Sequence, residues 1–240
     1  MKYDLQPFSS ALEEIPLSLD DSQIAQFLHY YELLIEWNQK FNLTAITDFE
    51  EVTIKHFIDS LSLVRLFPDL NGRYLIDLGS GAGFPGIPLK IAFPGLSVVL
   101  ADSLNKRVVF LNEVIDQLCL SNSCAVHGRA EELSHRADFR EKFDLCVSRA
   151  VAPLAILSEY CLPFARVGGT FVAYKGKEVQ DELLDASHAI SILGGQLQKV
   201  DSFFLPGSGA DRTLISISKT RDTPAAYPRK AGMPKKSPLA

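Results

Sequence analysis

From Arg73 onward the chain alternates short apolar runs with helical stretches, and this rhythm constrains the fold more than any other feature of its 240 residues. YLIDL (74–78), LSVVLAD (96–102), SCAVHG (123–128), FDLCVSRA (143–150) and GGTFVAYKG (168–176) read as strands. Helical segments near 86–93, 104–119, 129–142 and 153–165 separate them, and another near 177–193 precedes LQKVDSFFL (197–205) and RTLISIS (212–218). Such alternation predicts a largely parallel sheet covered on both faces. The last two runs are joined only by PGSGAD, too short for a crossover, so they predict an antiparallel hairpin at the end of the sheet.

Upstream the period changes. Ser18 or Asp20 can cap a helix whose apolar positions Ile24, Phe27, Leu28, Tyr31, Leu34 and Ile35 recur every three or four residues and which ends near 38–42. After the polar and aromatic WNQKFNLTAITD, the stretch EEVTIKHFIDSLSLVRLF resumes a helical pattern up to Pro68. The expected organisation is a helical cap over 1–70, an α/β domain over 71–220 and a basic, proline-rich arm over 221–240.

Composition closes off several classes of function. With 47% hydrophobic and 22% charged residues the chain is ordinary for a globular protein. No apolar run approaches the roughly 18 residues a membrane span needs. The N-terminal MKYDLQPFSSALEEIPL has neither a basic leader with an apolar core nor a cleavage site, so a cytoplasmic location is the expectation. Cys119, Cys124, Cys146 and Cys161 form no CxxC pair and read as reduced, mostly buried thiols. The five histidines show no HExxH spacing, so no metal is expected; a monomer is.

The net charge of −5 argues against indiscriminate nucleic-acid binding. The arm is different: Arg221, Arg229, Lys230, Lys235 and Lys236 face only Asp222, a balance of +4 that leaves −9 for the rest. With four prolines the arm is expected to be mobile or peripheral, serving either solubility or contact with RNA.

The order of elements is that of a class I methyltransferase, a Rossmann-like sheet whose seventh strand enters antiparallel beside the fifth. DLGSGAGFPGIPLK (77–90) then has to be read in one of two registers. Gly81, Gly83 and Gly86 spell GxGxxG, the dinucleotide fingerprint, but the glycine of the tight turn should directly follow the strand, and that place belongs to Gly79. The register Asp77, Gly79, Gly81, Gly83 is the DxGxGxG associated with S-adenosylmethionine (SAM). Pro85 and Pro88 remove amides that a pyrophosphate would use at a helix start and suit a first helical turn. Asp102, at the tip of the second strand, is placed to accept ribose hydroxyls of either cofactor, or else to cap the next helix. After the third strand, where this fold brings residues beside an adenine, Ala130 is small enough to leave room for the ring, and Glu131 or Glu132 either offers it an acceptor or is merely solvated.

WNQKFNLTAI (37–46), KHFIDSL (55–61), DLGSGAGFPGIPLK, DSLNKRVVFL (102–111), GRAEEL (128–133), VSRAVAPL (147–154) and YPRKAGMPKKSP (227–238) together resemble the RsmG (GidB) family over nearly the whole chain, with a Firmicutes-like arm. The resemblance implies a SAM-dependent methyltransferase acting on N7 of a guanine in 16S ribosomal RNA, free or in the small subunit. It implies SAM contacts at Gly79 and Phe84, an adenine-side pair at Ala130 and Glu131, and a cofactor-side Arg149. Tyr174 departs from the family's pattern, which has a hydrophobic residue there.

Methyl transfer is an in-line displacement, so alignment supplies most of what the protein must do. Guanine N7 has a lone pair and no proton, so no general base is required, and SRAVAP replaces the Asn/Asp-Pro-Pro-aromatic tetrapeptide of amine methyltransferases. Arg149 and Lys175, at strand ends on the ligand-binding rim, are the catalytic candidates. Lys106, Arg107, His56, Arg229, Lys230, Lys235 and Lys236 are candidates for RNA, with only one of Lys106 and Arg107 expected to face the site. His56 and Asp59 share a helix face; Trp37, Asn38 and Asn42 read as RNA contacts or core. The rival readings are a SAM enzyme for another RNA or a small molecule, an NAD-dependent oxidoreductase, and a non-catalytic nucleotide-binding regulator.

Overall fold

Seven strands pair into one sheet: β1 (Tyr74–Leu78), β2 (Ser97–Asp102), β3 (Ser123–His127), β4 (Phe143–Arg149), β5 (Ala165–Lys175), β6 (Gly195–Phe204) and β7 (Asp211–Lys219). Their spatial order is β3-β2-β1-β4-β5-β7-β6. The first five are mutually parallel, and β7 runs antiparallel to both β5 and β6. This is the class I methyltransferase sheet expected from the alternation and the closing hairpin. The computed structural model describes residues 2–149, 152–177 and 179–239. Ala150 and Val151 of the VSRAVAPL motif, Glu178 near the start of an expected helix, and the two terminal residues lie outside the described residues.

The central strands are apolar on both faces because both are covered. Leu75, Val98, Leu145, Val172 and Leu214 enter one core; their neighbours Ile76, Val99, Cys146, Phe171 and Ile215 enter the other. The period of two along a strand makes this division. Helices α1 (Gln6–Glu13), α2 (Asp21–Phe41), α3 (Phe49–Val52), α4 (Asp59–Leu61), α5 (Gly86–Ala92) and α6 (Asn105–Gln117) belong to the first face. Helices α7 (Ala130–Leu133), α8 (Leu154–Cys161) and α9 (Gln180–Ile192) belong to the second.

The N-terminal helices share the core of the sheet rather than resting on it. Phe8, Phe27, Tyr30, Leu34 and Phe57 are fully buried in the first core. Asp20 caps α2 by accepting the Gln23 amide while the Gln23 side chain accepts the Asp20 amide, a closed capping box. Asn42, in the left-handed conformation with φ 49°, ends the helix and turns Leu43 and Thr44 back toward the sheet. Trp37 packs on Phe41 and Phe110, the core alternative of its two readings. Between α3 and α4 the chain is a π-helix, Thr53–Ile58, carrying Lys55 and His56. Wider turns of this kind shift side chains out of helical register, often at functional sites.

Four expectations need correction. Helix α1 had no counterpart in the sequence reading. The helix expected over 129–142 is a single turn, because the chain folds back and Arg140 donates to the carbonyls of Thr223 and Tyr227. Two of the four cysteines, Cys119 and Cys124, are exposed, while Cys146 and Cys161 are buried. The arm is peripheral but docked: Thr223, Pro228 and Pro234 are buried, and α10 (Met233–Lys236) forms one helical turn with Pro234 in its first turn.

Candidate functional site

The sheet reverses direction at β1, with β2 on one side and β4 on the other. The carboxyl ends around such a switch point form a crevice. Two adjoining cavities fill it here, of about 160 and 380 Å³, sharing Gly79, Asp102 and Ser103. Of the expected cofactor residues, Gly79, Gly81, Phe84, Asp102, Ala130, Glu131 and Arg149 line this cleft, whereas Asp77 and Gly83 lie beneath it and line neither cavity.

The glycine turn forms its floor. Gly79, Gly81 and Gly83 have φ of 74°, 62° and 100°, values that side chains resist. A Cβ on Gly81 would meet nothing nearer than the Gly79 carbonyl at 3.9 Å and would occupy the cleft itself. Gly83 is glycine for another reason: its Cβ would collide with Ile87 at 2.6 Å and the Tyr30 hydroxyl at 2.7 Å. That hydroxyl donates to the Ala82 carbonyl, so α2 clamps the turn from below.

Asp77 and Asp102 divide the acidic roles. Asp77, proposed from sequence as a cofactor contact, is fully buried beneath the turn, where Oδ2 accepts the Gly86 amide at 2.9 Å and Oδ1 has no partner. Burial pushes its carboxyl up to about 7, against the opposing pull of that amide. It lines neither cavity. Asp102 lines both, and accepts from the Gly81 amide and the Leu104 amide, each at 2.9 Å, and from Arg107 Nη1 at 3.3 Å. It therefore holds the floor, the next helix and a cation together at the cleft.

Arg149 crosses from β4 to the π-helix. Its Nη1 donates to Asp59 Oδ2 at 2.7 Å and to the Lys55 carbonyl at 3.3 Å, and its Nη2 lies 3.3 Å from His56 Nδ1. The guanidinium sits 5.0 Å from the Phe84 ring centre, and His56 stacks on the same ring at 4.5 Å. Asp59, only 7% exposed in its side chain, also takes Arg212 Nε at 2.7 Å. Burial and the neighbouring Arg149 lower His56 to about 4, so the imidazole is neutral at physiological pH. Thr44, His56, Arg107 and Arg149 form the polar wall of the larger cavity, with Leu43 and Phe84 between them.

The smaller cavity is walled by Leu78, Ala101, Ala130, Glu131, Leu157 and Tyr160. Glu131 is buried, and its Oε1 accepts the Gly232 amide of the arm at 3.0 Å. Nearby, Arg229 closes on the buried Glu159, with Nη2 to Oε2 at 2.6 Å and its amide to Oε1 at 2.8 Å. Arg229, an RNA candidate from sequence, is thus committed to a carboxylate of α8. Lys230, Lys235 and Lys236 remain exposed, with no ion-pair partner among the described residues.

Lys175 and Lys106 do not reach the cleft. Lys175 Nζ donates to Glu182 at 2.5 Å and to the Ala152 carbonyl at 2.9 Å, and Glu182 also accepts the Leu154 amide. The pair braces the segment after β4 and lines neither cavity. Lys106 donates to the Phe41 carbonyl at the end of α2 while Arg107 turns inward, so one of the two faces the site as expected. Tyr174 is buried and donates to the Ser60 carbonyl, which gives its hydroxyl a partner in the cap. Sequence reasoning missed Thr44, Arg212, Tyr160 and Glu159. Only Thr44 carried a signal, as part of a recognised motif whose tryptophan drew attention first.

The chain matches the family model described as GidB, rRNA small subunit methyltransferase G, over residues 23–214. It is 53% identical over 236 residues to a ribosomal RNA small subunit methyltransferase G of Lachnoclostridium phytofermentans, covering 98% of each chain. A protein of the same name from Lactobacillus johnsonii is 49% identical over 97% of this chain and 98% of its own. Among solved structures, TrmN from Thermus thermophilus superposes with a TM-score of 0.52 at 16% identity, over 70% of this chain and about half, 53%, of that one. A ribosomal protein L11 methylase from Lactobacillus delbrueckii subsp. bulgaricus gives 0.51 at 17% identity, over 68% of this chain and 77% of its own. These two likenesses concern the fold alone. The match over most of the sequence, set on a cleft assembled from the same motifs, makes the chain a member of the GidB family of rRNA small subunit methyltransferases G.

Proposed function

We propose that the chain transfers a methyl group from SAM to N7 of a guanine in 16S ribosomal RNA. The observation that carries this is the two-part cleft: a glycine floor with a smaller lobe at one end, bordered by Leu78, Ala101, Ala130, Leu157 and Tyr160, and at the other a larger lobe bordered by Thr44, His56, Arg107 and Arg149. The residues suit SAM. Gly81 leaves open space where any side chain would intrude, Ala130 and Tyr160 border an apolar slot, and Glu131 offers an acceptor beside it. A pyrophosphate fits less well, because the Gly86 amide is spent on Asp77 and Pro85 has none.

When bound, SAM supplies a methyl group already activated on a sulfonium. The chain's own residues then have to align and enclose. Gly79, Gly81, Asp102, Ala130 and Glu131 would hold the nucleoside part, and Phe84 and Arg149 would border the methionine and the incoming base. Asp102 is occupied by two amides and Arg107, and His56 is neutral and hydrogen-bonded on both nitrogens. Neither is a free base, which agrees with an acceptor that has no proton to lose. In this reading residues 1–70 cap the cleft, 71–220 carry it, and 221–240 lie beside it with Lys230, Lys235 and Lys236 turned to RNA phosphates.

The test is incubation of the protein with SAM and small-subunit RNA, free and assembled, from a strain lacking the gene. 7-Methylguanine at one position by mass spectrometry is expected; its absence with both substrates overturns the proposal. Calorimetry with SAM and NAD checks the cofactor separately, and NAD binding without SAM binding would overturn it.

A further inference from the structure

Thr44 stands at the mouth of the cleft in an arrangement that leaves its hydroxyl proton only one direction. The Asn38 side chain accepts the Thr44 amide at 2.9 Å and fixes the backbone. Thr44 Oγ1 accepts the Ile46 amide at 3.1 Å and lies 2.9 Å from His56 Nε2. Whether His56 donates to this oxygen or accepts from it depends on which ring nitrogen carries the proton.

Arg149 decides the tautomer. His56 Nδ1 lies 3.3 Å from Arg149 Nη2 and 3.2 Å from the Lys55 carbonyl. A guanidinium is permanently charged and can only donate. A proton on Nδ1 would therefore point toward N–H groups of a cation, whereas a lone pair there receives a charge-assisted hydrogen bond. The Lys55 carbonyl has a second lone pair beside the one that accepts Arg149 Nη1, but an Nδ1 proton given to it would still leave Arg149 Nη2–H facing another N–H. The single ring proton is then on Nε2 and is donated to Thr44 Oγ1. With both lone pairs filled, by Ile46 N–H and His56 Nε2–H, the Thr44 hydroxyl must donate away from them. Thr44 lines the cavity with Ser80, Gly81, Phe84 and Arg149.

We propose that Thr44 is a specificity-determining residue whose oriented hydroxyl donates to O6 of the target guanine, with His56 and Arg149 as the positioning residues that set its direction. This rests on the guanine-N7 reading. On its major-groove edge guanine presents two acceptors, N7 and O6, whereas adenine presents N7 and an amino donor. In the reactive complex N7 must keep its lone pair free to attack the methyl carbon, so it cannot be held by a hydrogen bond. O6 is the remaining handle on that edge, and a donor fixed beside it accepts guanine and opposes the adenine amine. A hydroxyl free to turn could bond either base. One whose lone pairs are already occupied cannot.

The experiment compares the wild type, Thr44→Val and Thr44→Ser in single-turnover methyl transfer to ligated small-subunit RNA carrying guanine or 2-aminopurine at the target position. 2-Aminopurine keeps N7 and lacks O6. The wild type is expected to prefer guanine by about 100-fold, as sites built to hydrogen-bond a substrate group reject analogues lacking it. Thr44→Val is expected to slow guanine about 10- to 100-fold, leave 2-aminopurine within about threefold, and so erase the preference; Thr44→Ser should restore it. An unchanged preference in Thr44→Val, or a loss confined to the KM for SAM, overturns the proposal. Nitrogen-15 correlation spectra of His56 should place its proton on Nε2, and a proton on Nδ1 would equally overturn it. Absence of 7-methylguanine with the wild type would instead overturn the function on which the proposal stands.

Discussion

The two ends of the cleft are closed by opposite termini, and they are built from different materials. At the cap end the wall is made of side chains in charged or tautomer-specific contacts: Arg149 to Asp59, Arg212 to Asp59, His56 to Arg149, Thr44 to His56. At the arm end it is made of apolar surface and of carboxylates held by the arm: Glu131 by the Gly232 amide, Glu159 by Arg229. On the proposed function, the first arrangement fixes directions where the methyl group would be transferred, and the second fixes shape where the nucleoside of SAM would lie. Damage at the cap end should therefore fall on turnover and base choice, and damage at the arm end on cofactor affinity and stability.

Asp59→Ala gives the largest expected break in this contrast. It leaves Arg149 and Arg212, 13% and 26% exposed in their side chains, without their shared carboxylate. Removing one partner of a buried ion pair costs about 3–5 kcal/mol. Here part of that loss should appear as turnover reduced by about 100-fold or more, because Arg149 is then free to leave Phe84 and His56. Denaturant titration and single-turnover rates measure the two parts. A large loss of stability with turnover unchanged would make the network structural only.

His56 gives the next effect, and its sign is definite. Its folded pKa of about 4 lies below the ordinary 6.5, so between these values the unfolded chain binds more protons than the folded one. Stability should rise with pH across that window and be lost as pH falls through it, by about 3 kcal/mol in all. Asp77 acts in the opposite sense, since its folded value of about 7 lies above the ordinary 3.8, and its contribution is lost as pH rises. Comparing the unfolding free energies of wild type and His56→Gln between pH 4 and 7 isolates the histidine. Parallel curves would mean that His56 titrates in the fold as it does in the unfolded chain.

The same contrast explains what could be read in advance. The sheet, its hairpin and the glycine turn were legible because each depends on local period or on backbone conformations that few residues adopt. Gly79, Gly81, Phe84, Asp102, Ala130, Glu131 and Arg149, singled out on such signals, line the two cavities. Asp77 and Lys175 illustrate the limit: each stands at the end of a strand that leads to the cleft, yet one is consumed by the Gly86 amide and the other by Glu182. Which partner a charged side chain takes depends on segments far away in sequence. Arg212 is 153 residues from Asp59, and Arg229 is 70 from Glu159. A run of cations marks a tail as basic, but not which cation is spent on the fold.

Glu159→Gln probes the arm end and should act more gently. The amide retains a hydrogen bond to Arg229 but removes the opposite charge from a side chain that is 1% exposed. A loss of about 1–3 kcal/mol is expected. Protease cleavage between 221 and 239 should become faster, and the dissociation constant for SAM should rise about three- to tenfold as Glu131 loses the anchored Gly232 amide. Turnover at saturating SAM should hold. A fall in turnover with SAM affinity unchanged would erase the distinction between the two ends.

The smallest effect is expected from the three lysines the arm leaves exposed. Removing the whole arm after Thr220 would confound two roles, because it also strips Arg229 from Glu159 and frees Arg140 from the Thr223 and Tyr227 carbonyls. Replacing Lys230, Lys235 and Lys236 together with alanine leaves those contacts in place. If all three meet phosphates, the slope of log affinity against log salt for RNA should become shallower by about 2, at about 0.7 per phosphate contact on single strands. Affinity at low salt should fall measurably while methylation at saturating RNA and the affinity for SAM stay as they are. An unchanged salt slope would assign the lysines to solubility, leaving the arm a purely structural clasp beside the smaller cavity.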